Sequence, residues 1–351
     1  MAFYKNLTNE DRVNDTAIVT SGLFQDGAAN ITTFFTSSTQ YTNTGDYSID
    51  TYRYNPTGNA SASVQFGIAY GHVGGSGSLG TVGATGERPT AAVYGQFNQL
   101  INPPQTNKFT FGPKSDVQHF YALSLNRARI REEMEPGGWE LHLSGSGNSE
   151  KLRKIKLIDD SSTIKGTGNE RNFSPEFNVV SGTLVGGTTI HTPAASEPAS
   201  SGSYGTFYPS LGVILLNPTR ISGSGAQGSS GTVVSTVQAS DTDSRNHRNL
   251  FDSIKLGAYF QAKRQEEVTS RHFFVRATAN DFNATTNETY YTESTAGVKQ
   301  IISGLRTDPK TYITTVGMYN DDNELLAIAK LSQPILKSKS REALIKVKLD
   351  F

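Results

Sequence analysis

Hydrophobic and polar positions alternate along much of this chain, most clearly at its end. There Ile345, Val347, Leu349 and Phe351 share one face, and Lys346, Lys348 and Asp350 the other. A period of two belongs to a strand with one buried face, so the pattern predicts a docked final strand and not a frayed tail. Upstream, Phe273, Val275 and Ala277 alternate with His272, Phe274 and Arg276 and predict another strand. Residues 313–318 and 324–331 read as the two arms of a hairpin, joined by the polar turn Asn320-Asp-Asp-Asn323.

The first half carries the same signal more weakly. Val64, Phe66, Ile68 and Tyr70 alternate with smaller residues and predict a half-buried strand. Further strands are expected over 108–112, 119–126, 139–143 and 152–158, with Pro136-Gly137-Gly138 as a turn before Trp139. One segment has helical spacing. Val93, Phe97, Leu100 and Ile101 follow Pro89, a residue suited to a first turn, and Pro103-Pro104 ends the run.

Composition divides the chain into four stretches. Residues 1–60 are rich in Thr, Asn and Ser with spaced aromatics and read as an N-terminal extended arm. Its rings, Phe34, Phe35, Tyr41, Tyr47, Tyr52 and Tyr54, are candidate interface anchors. Such an arm either runs over a neighbouring subunit or folds back on its own chain. Residues 61–144 form the first part of a β core. In 145–244, Gly, Ser and Thr dominate, with a few apolar runs such as 177–185 and 211–216, and this reads as an insertion or loop domain. Residues 245–351 form a closing β module. The expected fold is mainly β: a β-sandwich-like core with one short helix at about 89–101 and long Gly/Ser-rich loops.

Charge and composition narrow the function. The 32 basic and 32 acidic residues cancel, so the chain as a whole lacks the basic footprint of a nucleic-acid binder. Lys330, Lys337, Lys339, Arg341, Lys346 and Lys348 crowd the C-terminus and read as a solvated strand face. There is no cysteine, hence no disulfide, thiolate nucleophile or cysteine zinc site, which suits assembly in a reducing cytoplasm. No apolar stretch approaches a membrane span, and no signal peptide is evident.

Candidate chemistry is sparse. Gly75-Ser-Gly77-Ser-Leu-Gly80 and Gly223-Ser-Gly225-Ala-Gln-Gly228 match a dinucleotide fingerprint, but neither leads into a helical pattern. His72, His119, His142, His191, His247 and His272 show no metal-ligand spacing. Asp241-Thr-Asp243 and Asp321-Asp322 read as turns and not calcium loops. Arg127, Arg129 and Arg131 beside Glu132, Glu133 and Glu135 read as a solvated ion-pair surface. No catalytic, cofactor or metal residue is assigned, and a non-enzymatic role is expected.

Several motifs resemble virion structural proteins of contractile-tailed bacteriophages, especially those infecting cyanobacteria. They are the segment from Arg271 to Asn287, Val316-Gly-Met-Tyr followed by Glu324-Leu-Leu-Ala-Ile-Ala, and the closing Glu342-Ala-Leu-Ile-Lys-Val-Lys-Leu-Asp-Phe351. Phe66-Gly-Ile-Ala-Tyr-Gly-His72, Ala91-Ala-Val-Tyr-Gly-Gln-Phe97 and residues 119–129 are similar more loosely. The resemblance implies a structural component of the virion tail, at the baseplate or the fibre-attachment periphery, assembled in the host cytoplasm. It implies other tail and baseplate proteins as partners, several copies set by tail symmetry, no nucleic acid and no membrane insertion. Tyr312, Tyr319 and Phe351 join the arm aromatics as candidate interface residues. The alternatives are a receptor- or glycan-binding tail protein, which clustered Tyr and Asp would favour, and a neck- or capsid-associated structural protein. A polysaccharide hydrolase would need convergent carboxylates.

Overall fold

The computed structural model describes residues 4–42, 47–75, 89–102, 108–112, 114–145, 154–162, 167–168, 175–184, 203–222, 233–236 and 245–350. The chain first forms β1 (Arg12–Gly22), β2 (Asn30–Ile31), α1 (Ser38–Thr42), β3 (Ser48–Tyr52), β4 (Val64–His72) and α2 (Pro89–Ile101). Next come β5 (Phe109–Phe111), β6 (Lys114–Val117), β7 (His119–Leu125), α3 (Arg127–Ile130), β8 (Glu133–Met134), β9 (Glu140–Ser144) and β10 (Lys154–Asp159). They are followed by β11 (Thr167–Gly168), β12 (Pro175–Ser181), β13 (Gly205–Tyr208), β14 (Val213–Leu216), α4 (Pro218–Ser222), α5 (Asn246–Gly257) and β15 (Phe260–Gln261). The last elements are β16 (Lys263–Ala277), β17 (Tyr291–Glu293), β18 (Lys299–Ile301), α6 (Ser303–Thr307), β19 (Lys310–Tyr319), β20 (Leu325–Ser338) and β21 (Ala343–Asp350).

Two compact units result: Val19–Glu266, and Met1–Ile18 together with Glu267–Phe351. The larger unit is built on an 11-stranded sheet in the order β2-β15-β9-β10-β12-β13-β14-β7-β4-β3, with β11 paired to β12. Its pairs are antiparallel, from Phe260↔Ile31 at one edge to Ile49↔Ile68 at the other. The sheet curls into a half-barrel.

The central strands are buried on both sides. On β7, Tyr121, Leu123 and Leu125 enter one apolar cluster, whereas Phe120 and Ala122 enter another. On β14, Ile214 and Leu216 go with the first and Val213 and Leu215 with the second. The first cluster is completed by Leu250, Phe251 and Ile254 of α5, and the second by Tyr94 and Ile101 of α2 with Phe109, Phe111 and Val117 of β5–β6. Each fully buried Leu, Ile or Phe contributes about 1.5–3 kcal/mol, so the helices are integral to the core.

The expected β-sandwich with one short helix is therefore corrected. Among the described residues, 47% are strand and 19% helix, with six α-helices, in a mixed α/β fold. A sandwich covers one face of each sheet with a second sheet. Here the central strands are covered by helix on one side and by helix plus hairpin on the other. The runs Phe120-Tyr-Ala-Leu123 and Val213-Ile-Leu-Leu216 are continuously apolar for this reason. Helix α5 approaches β9 so closely that a Cβ on Gly257 would lie 2.0 Å from the His142 carbonyl oxygen. Its end is closed by Ala258, which takes a left-handed conformation (φ 54°) and donates its amide to the Ile254 carbonyl. The Gly/Ser-rich stretch 145–244 contributes β10 to β14 and α4 to the larger unit.

In the smaller unit, residues 270–277 of β16 pair with β21, from Ser270↔Asp350 to Ala277↔Ala343. The predicted alternation of the closing strand holds: Ala343, Ile345 and Val347 are buried, and Leu344, Lys346 and Lys348 exposed. Strands β17 and β18 form a small hairpin, and β19 and β20 a long two-stranded ribbon.

Candidate functional site

The β19–β20 ribbon is the feature that needs explaining. It is anchored at its base. Lys337 is fully buried, and its ammonium donates to the Ala279 carbonyl (3.0 Å), Asn283 Oδ1 (3.1 Å) and the Ser338 carbonyl (2.9 Å). Three donors meet three acceptors, which is how a buried ammonium is satisfied without a carboxylate. Beside it, the Thr311 hydroxyl donates to the Phe282 carbonyl at 2.6 Å.

Beyond that base one side of the ribbon is open. Direct cross-strand partners share a face, so Gly317↔Ile328 and Tyr319↔Leu325 line one side, and Val316↔Ala329 and Met318↔Ala327 the other. The second side is half-buried. The first is open, with Ile328 60%, Leu325 51% and Tyr319 45% exposed, and Leu326 at the tip 67%. Pro334 falls in the register shift between Ile313 and Thr315, where a missing ladder donor costs least. The turn is built locally: Asn320 Oδ1 accepts the Glu324 amide at 2.7 Å, and Asn323 takes the left-handed region (φ 64°). Tyr4 packs edge-on against Tyr319 at 5.3 Å.

A two-stranded hairpin is marginal in water by itself. Among the described residues this one keeps an open apolar face and two unpaired backbone edges, the kind of surface on which a further strand or layer can dock. In the same unit, strand β1 also exposes Val13 and Ile18.

The sequence-proposed anchors separate into groups. Tyr312 and Tyr319 lie exposed on the ribbon. Phe34 and Tyr47 are buried in the larger unit, and Tyr52 and Tyr54 are half-buried, with the Tyr54 hydroxyl donating to Asp26 at 2.7 Å. Phe35 and Tyr41 stay open. Phe351 lies outside the described residues. Residues 31–54 thus place several rings against their own sheet.

Several of the titratable groups have structural partners. His72 and His119 face each other across β4 and β7, with ring centroids 5.7 Å apart, and the Tyr70 hydroxyl lies 3.2 Å from His119 Nδ1. Burial lowers the His72 pKa. His142 Nε2 lies 2.5 Å from Glu140, whose other oxygen accepts the Leu184 amide. Asp159 accepts amides from Gly137 and Ser161, yet burial outweighs those bonds and raises its pKa. His247 is fully buried in α5, and neither ring nitrogen has a hydrogen-bond partner among the described residues. Arg131 pairs with Glu266 at 2.9 Å, and Arg127 donates to the Ser210 carbonyl. Trp139 is buried against Phe207. His191, Asp241, Asp243, the 223–228 glycine motif and all of the first one beyond Gly75 lie outside the described residues. Among the described residues no three His, Cys, Asp or Glu side chains gather as a metal site.

Comparison with protein-family models, curated proteins and solved structures gives no match to this chain.

Proposed function

We propose that this chain is a structural subunit of a contractile phage tail, at the baseplate or the fibre-attachment periphery, acting through subunit contacts. The observation that carries this reading is the ribbon. The motifs Val316–Tyr319 and Glu324–Ala329, which resemble phage tail-fibre attachment segments, form its bare distal part. Its open face offers Ile328, Leu325 and Tyr319 to an apolar partner, and its free edges offer backbone pairing. A docked partner would supply the third strand or second layer that the hairpin lacks.

The test is cross-linking of intact purified particles with a short amine-reactive reagent, followed by mass spectrometry. The expected result is the protein present in stoichiometric amount, with Lys310 and Lys330 of the ribbon linked to other tail proteins or to a second copy. Absence from particles overturns the proposal. Links only to head or neck proteins would move the subunit along the virion and discard the baseplate placement.

A further inference from the structure

A cleft in the larger unit holds about 380 Å³ between α1, the chain just after β3, and α5. Its floor is Phe34 and Phe251, and its open aromatic wall is Phe35 and Tyr41. The polar lining comes from Asn55, Thr57, Asp252 and Lys255.

The wall is held in place before any ligand arrives. The Tyr41 hydroxyl donates to Asp252 Oδ2 at 3.0 Å, and its ring meets Phe251 edge-on at 6.3 Å. Arg248 of α5 donates to the Tyr41 carbonyl at 3.0 Å. Gln40 and Asp50 exchange two hydrogen bonds that tie α1 to β3. Phe35 is fixed by a backbone pair with Tyr52 in both directions. Asn55 Oδ1 accepts the Thr57 amide, which leaves its amide nitrogen to donate outward.

We propose that this cleft binds a saccharide. A sugar ring has an apolar face and a rim of hydroxyls that each donate and accept. Tyr41 and Phe35 supply ring faces for the first requirement. For the second, the Asp252 carboxylate accepts, and Lys255 and Asn55 donate. A volume at the lower end of the roughly 300–1,000 Å³ range of small-ligand sites suits one or two sugar rings. A lipid tail would leave this polar lining unpaired. A phosphate ester would face Asp252 with Lys255 as the one cation among the described lining residues. The proposal stands apart from the assembly reading, because every lining residue belongs to the larger unit and none to the ribbon.

The test uses the full chain on an array of bacterial surface oligosaccharides, with the best-retained one then titrated by calorimetry. Wild type is expected to be retained by a subset of the array. Tyr41→Ala and Asp252→Ala should each weaken that binding about tenfold or more, the loss of one good contact. Tyr41→Phe keeps the ring and should cost only a few-fold, while Leu326→Ser on the ribbon should leave binding unchanged. Thermal melts of all four variants check that they fold. Retention of wild type by no glycan overturns the proposal. So does equal binding by folded Tyr41→Ala and Asp252→Ala, which would put the sugar elsewhere. Loss of glycan binding with particle cross-links intact would leave the assembly reading standing.

Discussion

The 11-stranded sheet and the two-stranded ribbon are made of the same kinds of residue, and they end in opposite situations. In the sheet, Phe66, Ile68, Leu123 and Ile214 are fully buried in the cluster that α5 completes, and Phe120 and Leu215 in the one that α2 and β5–β6 complete on the other face. In the ribbon, Leu325 and Ile328 occupy equivalent positions on a strand pair and stay 51% and 60% exposed, and Tyr319, with Tyr4 edge-on beside it, stays 45% exposed. Strand formation and burial are therefore separate events here. A sequence pattern can specify the strand while the surface that completes it belongs to another molecule. The comparison predicts that substitutions in the sheet act on folding, whereas those on the ribbon act on assembly.

The sharpest break of the sheet side is Leu250→Ala. Leu250 is fully buried between α5 and the sheet, so truncation removes its transfer energy and leaves a cavity. The expected loss is about 2–5 kcal/mol in urea unfolding followed by far-UV circular dichroism. A loss under 1 kcal/mol would show that α5 is dispensable, which contradicts the layered core. Next in size is Lys337→Met at the ribbon's base. It keeps the bulk and strands the Ala279 carbonyl, Asn283 Oδ1 and the Ser338 carbonyl. An unsatisfied buried group costs about 1–3 kcal/mol, so hydrogen exchange of the 310–319 and 325–338 amides should accelerate at least tenfold. The larger unit's amides should not change.

How much of this was legible beforehand depends on the distance over which burial is decided. Strands β4, β19, β20 and β21 and helix α2 announce themselves because each carries its own period, and β7 by its continuous apolar run. Helix α5 does not: its buried face mixes Leu250, Phe251 and Ile254 with Asn246, His247 and Ser253, so polar residues interrupt the apolar stripe. That omission is what made the core look like a sandwich. The cleft was illegible for another reason. Tyr41 stood out as an aromatic in a polar segment, but its partner Asp252 lies 211 positions away, and no local spacing joins them. The open face of the ribbon was legible as a hairpin and invisible as an exposure, since alternation does not say which face is covered.

A pH titration sharpens the sheet side further. Burial, and then the charge of Arg248, push the His247 pKa down from 6.5 to about 3. Above about pH 6.5 the imidazole is neutral in folded and unfolded chains alike, and its contribution to stability is fully present. Between 6.5 and 3 the unfolded chain binds a proton that the folded chain refuses, so stability falls as pH falls. The slope from this group approaches about 1.4 kcal/mol per pH unit. Denaturation midpoints at pH 7, 5.5 and 4 should decline more steeply in wild type than in His247→Gln. Parallel slopes would mean that the folded imidazole reaches a proton-accepting environment after all.

The smallest expected effect on stability, and the most decisive for the comparison, comes from the paired substitution Leu325→Ser with Ile328→Ser. Both side chains stand in solvent on the ribbon's open face, so the folded chain loses almost no buried area. The unfolding free energy should shift by no more than about 0.5 kcal/mol, as for ordinary surface changes. If the face is completed by a partner, those same two residues sit at the centre of a contact, where a few apolar anchors carry most of the binding. Incorporation of the variant into particles, measured by mass spectrometry against wild type in the same preparation, should then drop about tenfold or more. Equal incorporation would mean that the open face stays open in the assembled protein. The ribbon would then have to earn its stability from its base alone, from Lys337 and Thr311, and the contrast with the sheet would reduce to one of size.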